Sequence, residues 1–334
     1  MDKNQLISLP VPKLFFHYLI PAISGTMVTS IYILADTIII GKGIGTEAMA
    51  ALNISLPLFN IVYGIGFLFG VGGSVLMSIS RGQGEDEKGQ QYFTAALMMN
   101  LFTILLFIAL FFTFKTEILT FLGGTPITMP YVINYAPYIA GGALLFSFSA
   151  LLQAFVRNDG APRRAMAAVI AGGIFNIVFD ILLVFPFRMG MTGAALATVA
   201  GTALTDCILI SHFFTKKNGL RFRFKGLTPT YFKAIIVNGI TSFFIEISGG
   251  IVIFAFNLQL LRYIGDIGVS AYGVVANTAY VVAAISNGIS QAAQPILSTN
   301  YGAGKFDRIG QVRGLGMKTA LAICSLPAIF GILA

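Results

Sequence analysis

The chain has 334 residues, of which 56% are hydrophobic and only 10% charged, with 21 Lys and Arg against 13 Asp and Glu. A soluble domain carries about a quarter charged residues, so this much apolar surface exceeds what one soluble core hides and calls for lipid as its outer solvent. The net charge of +8 does not point to nucleic acid, because the basic residues sit in short loops between apolar runs rather than on one groove-reading, solvated face.

Crossing a bilayer takes about 20 apolar residues. Eight stretches qualify in chain order, at 14–40, 52–78, 92–114, 131–155, 165–187, 191–214, 234–261 and 269–297, and a ninth begins at Thr319 and is still apolar at Ala334. The first is too long for the apolar core of a signal peptide and no small-residue cleavage site follows it, so it reads as the first helix. The intervening loops alternate in charge. Lys42, Lys115, Arg188 and Arg262 lie on one side and the other seventeen of the 21 basic residues on the opposite side. Because cytoplasmic loops are the basic ones, the reading is a multi-pass protein of the plasma (inner) membrane with a cytoplasmic N-terminus. The longest basic loop, 215–233, separates a six-helix lobe at 1–214 from a second lobe at 234–334.

The two lobes share a pattern. Ser80-Arg81-Gly82-Gln83-Gly84-Glu85-Asp86-Glu87-Lys88 after the second stretch matches Asn300-Tyr301-Gly302-Ala303-Gly304-Lys305-Phe306-Asp307-Arg308 after the eighth, at an offset of 220. Ile44-Gly45 and Ile267-Gly268 match at 223. Halves of six helices, an even number, enter from the same face, which makes them parallel repeats. The expected fold class is therefore all-α, a twelve-helix bundle of two six-helix lobes. On this count nine helices are present, the second lobe holds three, and helices ten to twelve are absent.

Carboxylates at bilayer depth are costly and are functional-site hypotheses by default. Four qualify: Asp36, Asp180, Asp206 and Glu246. Asp36 shares a face with Tyr32, one turn earlier, and Pro21 can bend the same helix. Asn176 and Asp180 are four apart, Thr198, Thr202 and Asp206 form a second polar stripe, Gln153 adds a polar group to the fourth stretch, and Ser242 precedes Glu246 by one turn. For Asn176, Thr198 and Ser242 a plain helix-gluing role is the simpler reading. For Asp36, Asp180 and Glu246 it is weaker, because no Lys or Arg lies within a span to neutralise them. Low dielectric disfavours the charged form, so each must be protonated, bind a cation or face water. Asp206 lies toward the basic end, where hydration is easy, and ranks last.

Other signals carry less. The glycines of the second stretch follow no strand, so they are no dinucleotide loop, and Gly66, Gly70, Ser74 and Ser78 form a packing ridge. Cys207 and Cys324 read as buried thiols, and His17 and His212 as interfacial residues. No Walker sequence is present, and neither ATP-driven transport nor metal-centred catalysis is expected. The reading is a transporter, not an enzyme.

Taken together, Pro21 and Asp36, the Gly82-x-Gly84 loop, Arg157-Asn158-Asp159-Gly160-Ala161-Pro162, Asn176 and Asp180, Gly193-Ala194-Ala195-Leu196-Ala197-Thr198, and Glu246 resemble the multidrug and toxic compound extrusion (MATE) transporters, within a superfamily that also holds flippases for lipid-linked oligosaccharides and polysaccharides. The resemblance implies two lobes around a central cavity, export of small cationic organic molecules by sodium or proton antiport, no cofactor, and a monomer when full length. It also implies that Asp36, Asn176, Asp180 and Thr198 form the cation site, able to take sodium, and that Glu246 is a second-lobe acid. Two alternatives stay open. A lipid-linked saccharide flippase would want Arg or Lys in its cavity for an anionic pyrophosphate, and a non-transporting sensor or channel is compatible with the repeat and the acids.

Overall fold

The computed structural model describes residues 3–263 and 266–333. In chain order its helices are α1 (Lys3–Ser8), α2 (Val11–Gly43), α3 (Thr46–Gln83), α4 (Asp86–Thr113), α5 (Lys115–Phe121), α6 (Met129–Ile133), α7 (Ala136–Gly141), α8 (Ala143–Asn158), α9 (Pro162–Val184), α10 (Gly190–Ile210), α11 (Pro229–Tyr263), α12 (Asp266–Gly302) and α13 (Phe306–Leu333), with a 3₁₀ turn at Ser211–Phe214. Six of them are long and apolar enough to cross a membrane among the described residues, and a seventh span results if a bent pair is counted as one.

Local chemistry sets the ends. Pro12 and Pro162 fall in the first helical positions of α2 and α9, where the missing N–H costs nothing. α4 opens with Asp86 and Glu87, which suit the positive end of the helix dipole. Pro21 lies inside α2, which runs through it as one helix. The stretch read as one span at 131–155 is broken instead. Met129–Gly141 and Ala143–Asn158 meet at 50°, at the Gly141-Gly142 pair that follows Pro137, a sequence that cannot hold a straight hydrogen-bond ladder. α13 also starts thirteen residues earlier than the apolar run at Thr319 suggested.

The repeat is visible atom by atom. Gly84 N–H and Glu85 N–H donate to Arg81 O and Ser80 O at 3.1 and 2.9 Å, and Gly304 N–H and Lys305 N–H donate to Tyr301 O and Asn300 O at 3.1 and 2.9 Å. Both turns place the second glycine at positive φ, 89° and 68°, where residues with a Cβ are strained. The first glycine of each motif serves close approach. A Cβ on Gly82 would strike Thr299 O, and one on Gly302 would strike Ile79 O. The ends of α3 and α12 therefore touch backbone to backbone, each through the residue 220 positions from its counterpart.

Two apolar cores result. The larger runs from Ile39 through α3, α4, α8, α9 and α10 to Ile235. The smaller joins Leu6 and the first half of α2 to Ile289, Ala292, Ile296 and Val312. α2 thus belongs to one core at its start and to the other at its end.

Two expectations need correction. Cys207 is exposed on α10 and faces outward from the bundle, because Asp206 and Thr205 take the buried face; the Cys324 side chain lies outside the described residues. His212 is not interfacial but 1% exposed, held by a carboxylate as described below.

Candidate functional site

α9 and α10 pack so closely that a Cβ on Gly201 would stand 2.8 Å from Gly172 O and 2.9 Å from the Asn176 Cβ. That approach brings the two polar stripes together. Asn176 Nδ2 donates to Thr198 Oγ1 at 3.3 Å, and Thr198 Oγ1 donates to Ala194 O at 3.0 Å. Asp180, one turn beyond Asn176, is 0% exposed. Asp36 enters from α2, also buried, and its carboxyl faces that of Asp180.

What sets the cluster apart is a lack of donors. Asp36 Oδ1, Asn176 Oδ1 and both carboxylate oxygens of Asp180 are buried with no hydrogen-bond partner. Buried polar atoms are normally satisfied, and two carboxylates in one dry site cannot both stay charged without a cation or a shared proton. Oxygen-only donors suit a hard cation. The set of two carboxylates, one amide oxygen and one hydroxyl therefore fits sodium or a proton better than a thiophilic or imidazole-bound metal. Among the described residues no three His, Cys, Asp or Glu side chains converge as a metal centre.

The remaining candidates surround this cluster. Tyr32 is half-buried on α2, and its hydroxyl meets Tyr63 of α3 within electrostatic range of both Asp36 and Glu246. Glu246, half-buried on α11, lies within electrostatic range of the same two tyrosines. Gln153 Nε2 donates to Ser149 Oγ at 3.2 Å, and Ser149 in turn faces Asp206. Asp206 is 5% exposed with Oδ1 unpaired, so the expected hydration at its helix end is absent. That position on α10 is covered by its neighbours rather than opened to water.

Sequence reasoning missed two features. Tyr135, 1% exposed at the start of α7, stands beside Asp36, Asp180 and Thr198; the Pro137 that follows it was the available signal. The second is a knot of charge at the basic end. Asp159 accepts from Arg81 NH1 at 2.6 Å, His212 Nε2 at 2.7 Å and Gly219 N at 2.8 Å, and Arg81 NH2 donates to Gly219 O at 2.8 Å. Burial works against its charge, but His212, Arg81 and the Gly219 N–H outweigh burial and hold the Asp159 carboxyl below the usual range. A polar cavity of about 340 Å³, lined by Arg81, Asp159, Lys217, Arg221 and Thr299 among others, lies against the knot.

Beside it α3, α8 and α12 are laced together. Ser78 Oγ donates to Asn158 Oδ1 at 2.8 Å, Asn158 and Gln294 exchange amide bonds at 2.9 and 3.1 Å, and Arg157 NH1 donates to Gln291 Oε1 at 2.8 Å. Arg157 is buried with Nε unpaired, a basic residue inside the bundle that the loop reading had placed outside it.

An all-helical bundle with at least six apolar spans among the described residues and acids buried inside it is a multi-pass membrane protein. The MatE family profile matches residues 21–182 and 240–334, and the chain belongs to that family. The chain is 26% identical over 298 residues to the multidrug export protein MepA of Staphylococcus aureus, covering 89% of this chain and 66% of that protein. It is 27% identical over 310 residues to MepA of Staphylococcus saprophyticus, covering 90% and 68%. The chain thus spans about two thirds of the length of these relatives. Among solved structures it superposes on the MATE multidrug transporter DinF-BH, with a TM-score of 0.86 and 30% identity over 98% of this chain and 73% of that one. An outward-facing MATE transporter gives a TM-score of 0.91 at 22% identity, covering 99% and 74%, a likeness of fold.

Proposed function

We propose that the chain works as a cation-coupled antiporter, with sodium or proton as the coupling ion, that exports cationic amphiphilic compounds across the plasma membrane by alternating access. The observation that carries this reading is the cluster of donorless oxygens on Asp36, Asn176 and Asp180. A site that is satisfied only by a cation or proton can exchange that ion for a cationic substrate, and one such charge crossing the membrane supplies about 2.3 kcal/mol per 100 mV. Thr198 and Asn176 complete the ion site, Glu246 and Tyr32 border it from the cleft, and Asp206 with Gln153 forms a neighbouring polar pair. The lobes are residues 1–214 and 234–334, joined by the loop 215–233, with the basic loops and the N-terminus in the cytoplasm. The Asn158–Gln294 and Arg157–Gln291 bonds and the contact at Gly82 and Gly302 are suited to closing the cytoplasmic side, and Pro21 supplies a place for α2 to bend. The working unit is a monomer. The relatives named as multidrug exporters support the substrate class.

The test is accumulation of a cationic dye in a drug-sensitive bacterial host that expresses the chain. The chain should lower accumulation in an ion-gradient-dependent way, and Asp36→Asn and Asp180→Asn should each abolish the effect. Full export by either variant overturns the ion site. Dye flux without counterflow in liposomes would mean a channel, and flux of an anionic lipid-linked sugar would mean a flippase.

A further inference from the structure

The loop between the lobes holds a surface that neither the ion site nor the seam uses. Residues 215–233 carry Lys216, Lys217, Arg221, Arg223, Lys225 and Lys233 and no acid. Three phenylalanines in and beside it stand open, with Phe214 86%, Phe222 59% and Phe224 63% exposed. Rings left so exposed on a soluble loop would be costly.

Their placement is fixed. Residues 221–224 lie outside the helices, and their ring contact puts Phe222 and Phe224 on one side. The rings stack at 6.2 Å with planes 7° apart, and Phe222 also stacks on Phe213 at 6.4 Å. The loop is tied along the first turns of α4. Arg223 N donates to Thr94 Oγ1 at 2.7 Å, its guanidinium holds Glu87, and Gln91 Nε2 donates to Lys225 O at 2.8 Å. The apolar run of α4 starts at Tyr92, so the loop, bonded to Gln91 and Thr94, lies beside the start of that run. Among the described residues only Arg223 of the six basic side chains is ion-paired.

We infer that this loop is a binding site for acidic phospholipids, with Phe214, Phe222 and Phe224 seated among the upper acyl chains and Lys216, Lys217, Arg221 and Lys225 on the headgroup phosphates. Charge complementarity selects this occupant. Aromatic rings favour the interfacial layer, and unpaired basic residues beside it favour anionic over zwitterionic headgroups. Because the loop joins the lobes and is pinned through Gly219 to Asp159, lipid held there ties the headgroup layer to the seam between α8 and α12. The inference is independent of what the chain transports.

The chain contains no Trp, so Phe224→Trp supplies a single fluorescent reporter. In nanodiscs its emission should be blue-shifted and quenched by acyl-brominated phosphatidylglycerol more strongly than by brominated phosphatidylcholine at the same mole fraction. High salt, and the combined change Lys216→Gln, Lys217→Gln, Arg221→Gln and Lys225→Gln, should remove the preference and leave the blue shift. Phe214→Trp repeats the measurement should the first variant fold poorly. Emission of a water-exposed indole, or equal quenching by the two lipids before any charge is removed, overturns the inference. A nanodisc presents the same lipid on both faces, so the result does not depend on which way the chain is inserted.

Discussion

Asp159 and Asp180 are both aspartates buried in a bundle of apolar helices, yet their surroundings are opposite. Asp159 is met by a guanidinium, an imidazole and a backbone N–H, whereas neither oxygen of Asp180 is hydrogen-bonded and a second carboxyl, Asp36, faces it. Burial is thus no guide to role; the donor count is. A carboxylate ringed by donors is finished as it stands and holds structure together. A carboxylate with none is stable only when it is protonated or holds a cation.

The contrast can be broken by removing each acid in turn. Asp159→Ala leaves Arg81 and His212 buried without their partner and should cost about 3–5 kcal/mol, read as a drop in the thermal midpoint of the chain in detergent. Asp159 also sets an acid limit. Its folded pKa lies below the unfolded one, so its contribution is fully present above about pH 4 and is lost as pH falls through the folded value. The stability gap between the wild type and Asp159→Asn should therefore hold at neutral pH and narrow below about pH 4. Asp180→Asn should change stability least, by about 1 kcal/mol or less and in the stabilising direction, because it removes a buried carboxyl that nothing in the bundle satisfies. A loss as large as that of Asp159→Ala would mean that Asp180 has a structural partner after all.

How much could be read from the sequence divides along the same line. Asn176 and Asp180 were legible because helical periodicity alone puts residues four apart on one face, and Asp36 because no basic residue shares its span. The bundle, the repeat and the matching glycine turns followed from pattern as well. The Asp159 knot was not legible. It joins Arg81, His212 and Gly219 from three separate segments, and only packing brings them together, so His212 passed for an interfacial residue. The break at Gly141-Gly142 carried its own signal in Pro137, but hydropathy averaged over the stretch hid it, and Tyr135 with it. Asp206 was misjudged for a related reason: distance along a helix does not tell how deeply its neighbours cover it.

The contact between Gly82 and Gly302 has a consequence for ancestry. A surface that meets its own copy, with residue i against j and j against i, is the signature of a twofold homodimer interface. Here it occurs within one polypeptide, with Gly82 against Thr299 and Gly302 against Ile79. A single ancestral half bearing this glycine turn would already have carried a self-complementary edge and could have paired with a second copy before the two were fused. Drift on one side of the seam is then constrained by the other, since a side chain gained at either glycine pushes both halves apart.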